Sequence, residues 1–157
     1  GAFTKSYNKS TLFTKQLRAL EPDLVIVSLG TNDNFQPESR YCRFCIKDNL
    51  RTMLDNIRAS KPGVSILLVT PGDFYTKNGT HNNNNNSYRA VLYELAEEYN
   101  CGVWDFNEVM GGDYSIKNWT KQGLARNDYV HYSKKGYEVQ GQLLYRAIMD
   151  AYEKRFN

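Results

Sequence analysis

The sequence predicts an α/β domain in which helices cover both sides of a parallel sheet, a three-layer α/β/α architecture. Three observations carry this. Short apolar runs alternate with stretches of helical periodicity, in the order α-β-α-β-α-β-α. The runs lack polar alternation, which suits strands buried on both faces. The first two end in polar loops, at the strand ends where open α/β sheets bind ligands.

Thr11–Leu20 reads as a short helix with Ser10 as its N-cap, because Leu12, Phe13, Leu17 and Leu20 share one face. Glu21-Pro22-Asp23 stops it. Leu24-Val25-Ile26-Val27-Ser28-Leu29 is the first buried strand, and it ends in the loop Gly30-Thr31-Asn32-Asp33-Asn34. Residues 36–44 look irregular. From Arg43 to Ser60, Ile46, Leu50, Met53, Leu54 and Ile57 form an apolar stripe, hence a helix, which Lys61-Pro62-Gly63 ends. Residues 64–69 form the second buried strand, ending in Thr70-Pro71-Gly72-Asp73. A polar loop with an asparagine run at 82–86 leads into a helix at 87–100, which carries Tyr88, Val91, Leu92, Leu95, Ala96 and Tyr99 on one face. Residues 101–105 form the third strand. A long segment, 106–127, follows. The last helix starts at Ser133, its N-cap, with Val139, Leu143, Leu144, Ala147, Ile148 and Ala151 as its apolar face. Gly136 and Gly141 within it cost roughly 1 kcal/mol each in propensity, so both predict close packing against a neighbour.

At 157 residues the chain reads as one domain, 1–157. Its 41% hydrophobic and 24% charged residues fit a globular fold. A net charge of +3, with no basic run and no Gly-rich phosphate loop, argues against nucleic acid as a partner. No segment is apolar and long enough to span a membrane. The chain opens without Met, as a processed or trimmed N-terminus does.

Two loops can carry chemistry. In Asp128-Tyr129-Val130-His131 a histidine follows a carboxylate by three residues and precedes a helix, the arrangement of a general base with its orienting acid. A surface histidine beside a turn aspartate fits the same four residues. Asn32, after the first strand, has a side-chain amide suited to an oxyanion, and equally suited to an Asx turn.

In these residues the chain resembles the SGNH (GDSL-type) hydrolases. Gly30-Thr31-Asn32-Asp33 is similar to that family's third block. Asp128-x-x-His131, with Ser133 and Gly136-Tyr137 behind it, is similar to the fifth. Val109-Met110-Gly111-Gly112, Trp119 and Gly123-Leu124 resemble the intervening segment of esterases and acetyltransferases acting on O-acetylated cell-wall polysaccharide. The resemblance implies a flavodoxin-like three-layer fold, no cofactor and no metal, and hydrolysis by a Ser-His-Asp triad. His131 would be the base and Asp128 its orienting acid. Asn32 and Gly1 would be oxyanion donors, Gly1-Ala2 being similar to the end of the second block. Thr31, Asp33 and Trp119 would contact an acetylated polysaccharide or small ester. Enzymes of this kind work outside the cytoplasm, in the periplasm or secreted.

The departure from the family is the nucleophile. No Gly-Asp-Ser occurs in the chain; Ser28 lies inside a strand and Ser133 caps a helix. The expectation is therefore an SGNH fold truncated at its N-terminus, with fewer strands than the family's sheet and no esterase activity of its own. Its strand from Leu24 to Leu29 would be an apolar edge, one that self-associates or is covered by the N-terminal segment. An O-acetyltransferase and a non-catalytic carbohydrate-binding relative remain alternatives. Cys42-x-x-Cys45 near a helix start also invites a thiol-redox or metal reading. The odd count of three cysteines does not suggest a disulfide framework, and no second Cys/His pair stands at metal spacing. His81 reads as a solvated loop residue. Asp33, Asp73 and Asp105 read as loop-structuring residues.

Overall fold

The structure is a computed structural model that describes residues 2–156. Its residues group into two compact units. One comprises residues up to 71 together with 83–105, and the other 72–82 together with 106 onward.

The first unit is built on a parallel sheet. β1 (Leu24–Ser28), β2 (Ser65–Val69) and β3 (Gly102–Trp104) lie in that order. Leu24 stands opposite Ser65, and Leu67 opposite Gly102. α4 (Arg43–Ser60) connects β1 to β2, and α5 (Asn84–Tyr99) precedes β3. The stripe expected on α4 is the one that is buried: Ile46, Leu50, Met53, Leu54 and Ile57 enter the core. There they meet Tyr88, Val91, Leu92 and Leu95 of α5, with Ile66 and Leu68 of β2. A left-handed residue ends α5, Asn100 at φ +50. On their solvent sides, Lys47 bridges Glu94 and Glu98 at 2.8 and 2.6 Å. Such exposed pairs contribute little to stability.

Two short helices precede the sheet, α1 (Thr4–Lys9) and α2 (Thr11–Leu20), and both pack on α4. α1 has too few apolar positions to be visible by periodicity. β1 departs from the expectation. It is not buried on both faces: Val27 is buried, but Leu24 and Ile26 are 42% and 41% exposed. Leu24 and Ile26 share one face of the strand, and Val25 and Val27 turn the other towards the core. β1 is also the edge of the sheet, with a neighbour on one side only among the described residues. The N-terminal segment does not cover that edge with a strand, because it is taken up by α1 and α2. It flanks the edge instead. Tyr7 and Phe13 join Val25, Val27, Met53 and Ile57 around an apolar groove of about 220 Å³.

In the second unit, the long segment after the third strand, to which no element was assigned, holds α6 (Phe106–Met110) and α7 (Ser115–Lys121), followed by α8 (Lys134–Phe156). Phe106, Trp119 and Tyr132 pack as an aromatic trio with ring centroids 5.5–5.7 Å apart. Gly72 lies against Tyr132, Met110 and Phe106 with no room for a Cβ. Gly136 is likewise pressed on the Leu124 carbonyl, as close packing predicts. Gly141 corrects the same expectation, since nothing lies near it. The apolar face of α8 is only half-buried at Val139, Leu143, Leu144, Ala147 and Ile148, and Ala151 is exposed.

Leu50→Ala or Leu95→Ala should lower unfolding stability by about 2–5 kcal/mol in urea titrations, whereas Leu20→Ala at the exposed end of α2 should change it by less than about 0.5 kcal/mol.

Candidate active site

The Gly30–Asp33 block lies in the first unit. Gly30 leaves β1 at φ +123, and a Cβ there would strike the Tyr88 ring and Pro71. Only glycine fits this turn. The next residues, expected as a loop, close into one helical turn, α3 (Thr31–Asn34), with Thr31 half-buried at its start. Asn32 donates its side-chain amide to the Ala2 carbonyl at 2.9 Å. A carbonyl oxygen thus already sits on the group expected to receive an oxyanion. An amide nitrogen carries two hydrogens, so one such bond does not exhaust it. Asp33 faces the start of α1, where it accepts from the Thr4 backbone N–H at 3.1 Å and the Thr4 hydroxyl at 3.2 Å. Burial raises its carboxyl above the ordinary range, and the Thr4 bonds only partly offset this. Gly1 lies outside the described residues.

What holds this block is the asparagine run. Asn84 and Asn85 belong to the first turn of α5, not to a loop, and both are buried. Asn84 donates to the backbone carbonyls of Asn34 (3.1 Å) and Gln36 (2.7 Å). Asn34 donates to the Asn85 side-chain oxygen at 3.2 Å. Periodicity could not reveal this, because the run is polar and its partners lie about fifty residues away.

The second unit holds Asp128 and His131. The Asp128 carboxylate accepts backbone N–H groups from Val130 and His131, each at 2.9 Å. Its other oxygen is 2.9 Å from His131 Nδ1. An ionised carboxylate only accepts, so Nδ1 carries the proton and Nε2 is left as the basic nitrogen. Partial burial pushes the Asp128 carboxyl up, but the bonds from His131 and Val130 outweigh it and hold the group below its ordinary value. Both side chains are largely exposed, the imidazole at 60%. Tyr129, at φ +54, makes the bend. Ser133 Oγ accepts the Gly136 N–H at 3.2 Å and donates to the Gly123 carbonyl at 2.7 Å, so it is committed as the helix cap.

Two sequence readings change here. Trp119 is a core residue, 7% exposed, with its indole N–H donated to the Met110 carbonyl at 3.0 Å. It offers no open face for stacking on a sugar. His81 is not solvated. Its Nε2 lies 2.7 Å from the Asp73 carboxylate, which is buried and also accepts the Ile116 N–H at 3.0 Å. Tyr114 stacks on the His81 ring at 4.3 Å. The loop they hold carries Tyr75, whose N–H donates to the Tyr129 carbonyl at 2.9 Å, inside the Asp128–His131 bend. Asp73, His81 and Asp113 also offer donor atoms within 4.8 Å of one another, a set able to take a divalent ion. Their spacing in the chain gives no sign of it. In the first unit Asp105 is the structural hub expected, accepting from Thr70, Arg89 and Tyr93.

Comparison with known proteins adds four findings. The family model described as "GDSL-like Lipase/Acylhydrolase family" matches residues 3–139. This corrects the expectation of a fold truncated at its N-terminus. The match opens at residue 3, so truncation is not indicated. An uncharacterized esterase, YxiM, of Bacillus subtilis (strain 168) is 26% identical over 149 residues, 91% of this chain and 38% of the relative. A solved structure described as "Peptidoglycan O-acetylesterase in action" superposes with a TM-score of 0.86 at 25% identity, covering 98% of this chain and 45% of that one. A lipase/acylhydrolase from Enterococcus faecalis superposes with a TM-score of 0.64 at 26% identity, over 92% of this chain and 67% of that one. The chain therefore spans less than half the length of the first two relatives. The three-layer α/β/α parallel-sheet fold is common to these structures.

Asp73→Ala removes the acceptor of the buried Ile116 N–H and should cost about 1–3 kcal/mol for that group, read by urea unfolding. Asp128 should titrate below an exposed aspartate in NMR. Its lowered value means that its stabilisation is present above the ordinary carboxylate range and is lost as pH falls below it. His131→Ala should move that midpoint upward.

Proposed function

Because the chain belongs to the GDSL-like lipase/acylhydrolase family, we propose that it serves carbohydrate O-acetyl ester hydrolysis, with acetylated cell-wall polysaccharide such as peptidoglycan as the substrate class. The observation that carries this reading is the Asp128–His131 pair, joined at 2.9 Å just before α8. In the proposed reaction His131 Nε2 takes the proton of an attacking serine and gives it to the leaving sugar oxygen; the same nitrogen then takes a proton from the water that releases acetate from the acetylated serine. Asp128 keeps the imidazole in the Nδ1–H tautomer and stabilises its protonated form. The Asn32 amide donates to the tetrahedral oxyanion, a contribution worth about 2.7–4 kcal/mol where one such donor has been removed.

The nucleophile has no assigned residue. The 157 residues hold no Gly-Asp-Ser, and Ser133 is spent on its cap. Supporting the substrate class is the 0.86 TM-score to the peptidoglycan O-acetylesterase. No helix among the described residues is long and apolar enough to cross a membrane. Work outside the cytoplasm, in the periplasm or secreted, follows from the substrate proposed. Self-association through the apolar edge of β1 is part of the same proposal, on the exposure of Leu24 and Ile26.

Assayed alone, the chain should turn over an activated acetyl ester only at a background rate, since a base and an oxyanion donor supply residual catalysis at most. Turnover abolished by His131→Ala would instead place the nucleophile on a serine within these residues. Calorimetric titration with O-acetylated and de-O-acetylated glycan fragments tests the substrate class. Tighter binding of the acetylated fragment is expected; equal binding of both would favour a carbohydrate-binding role without acetyl recognition.

A further inference from the structure

Cys42 and Cys45 lie at the start of α4 and form a disulfide, with Cα atoms 5.2 Å apart. The bond is poorly placed to act as a staple. Its cysteines are three apart in sequence and share one helical turn, so it joins no two elements. A ring this short removes little freedom from the unfolded chain. α4 is already anchored by five buried apolar side chains.

The same position suits sulfur chemistry. Cys42 is the N-cap of an 18-residue helix, and its Sγ accepts the Cys45 backbone N–H at 3.2 Å. Unpaired N–H groups and the positive end of the helix dipole both stabilise a thiolate at such a place. Solvent reaches the pair: Cys42 is half-buried, Cys45 is exposed, and Phe44 between them is 77% exposed. The third cysteine makes a contrast. Burial raises the Cys101 thiol above its ordinary value, with Arg58 only partly offsetting this.

We infer that Cys42 and Cys45 form a reversible dithiol–disulfide site, with Cys42 as the nucleophilic sulfur and a low-molecular-weight thiol–disulfide couple as its exchange partner. In the reducing direction an external thiolate attacks Cys42 Sγ. The bond to Cys45 Sγ breaks, and Cys45 leaves as a thiolate that takes a proton from water. A second external thiolate then attacks the outer sulfur of the mixed disulfide and releases the Cys42 thiolate. Two external thiols become one disulfide while the protein disulfide becomes two thiols, a balanced two-electron exchange.

The test uses the whole chain, folded, with glutathione as the couple. After reduction, alkylation at about pH 6 should modify Cys42 at least about tenfold faster than Cys101, as a thiolate stabilised at the helix N-terminus requires. Peptide mass spectrometry reads the two rates. In buffers of graded reduced and oxidised glutathione the native pair should interconvert, with circular dichroism unchanged. The Cys45→Ser variant, which cannot resolve the mixed disulfide, should accumulate glutathione on Cys42. A pair that stays oxidised in millimolar reduced glutathione until the chain unfolds would overturn the inference. So would equal alkylation of Cys42 and Cys101. Both of those readouts use the unmutated protein, so they hold whether or not the variant folds.

Discussion

Asn84 gives its side-chain amide to the backbone carbonyls of Asn34 and Gln36, and the turn that follows β1 rests on that pair of bonds. The constraint behind it is general: a backbone carbonyl turned away from water must find a donor. Where a chain leaves a strand and bends sharply, no ladder supplies one. Here a buried asparagine does so, and its neighbour Asn85 receives the Asn34 side chain in return. Gly30 then turns against the Tyr88 ring, and the amide of Asn32 is fixed relative to β1.

The second unit solves the same problem with a carboxylate. Asp73 is buried, yet it accepts the first N–H of α7 after Ser115 and holds His81. Burial raises its carboxyl despite those bonds. The loop so fixed donates the Tyr75 N–H to the Tyr129 carbonyl. Tyr129 occupies the left-handed region between Asp128 and His131, where a non-glycine residue is strained unless its surroundings hold it. The geometry of the Asp128–His131 pair therefore rests on groups distant from it in sequence. Asp128 itself adds a local hold, since one of its oxygens caps the bend while the other meets the imidazole.

The three strands, α4 and the larger part of α5 were legible because apolar residues recur at the spacings that strands and helices impose. α1, α6 and α7 were not, because each is one or two turns long and gives too short a window for a period. Trp119 shows the limit for single residues. An aromatic side chain in a polar segment reads equally as a sugar platform or as core, and the partners that decide it are Phe106, Tyr132 and the Met110 carbonyl. The His81 reading failed for the same reason, since a histidine beside an asparagine run gives no hint of a buried carboxylate across its loop.

The sequence by itself determined the three strands and the longer helices in their chain order, the Gly30–Asp33 turn, and the Asp128–His131 pair with its helix cap. Each is signalled by a local pattern of residues, although distant groups hold the Gly30–Asp33 turn and the Asp128–His131 pair in place. Tertiary structure alone decided that β1 would be a half-exposed edge, that an asparagine run would become a clamp, and that His81 would be paired and Trp119 enclosed. Those outcomes depend on which distant groups meet, and burial makes each unpaired polar group costly enough to force the meeting.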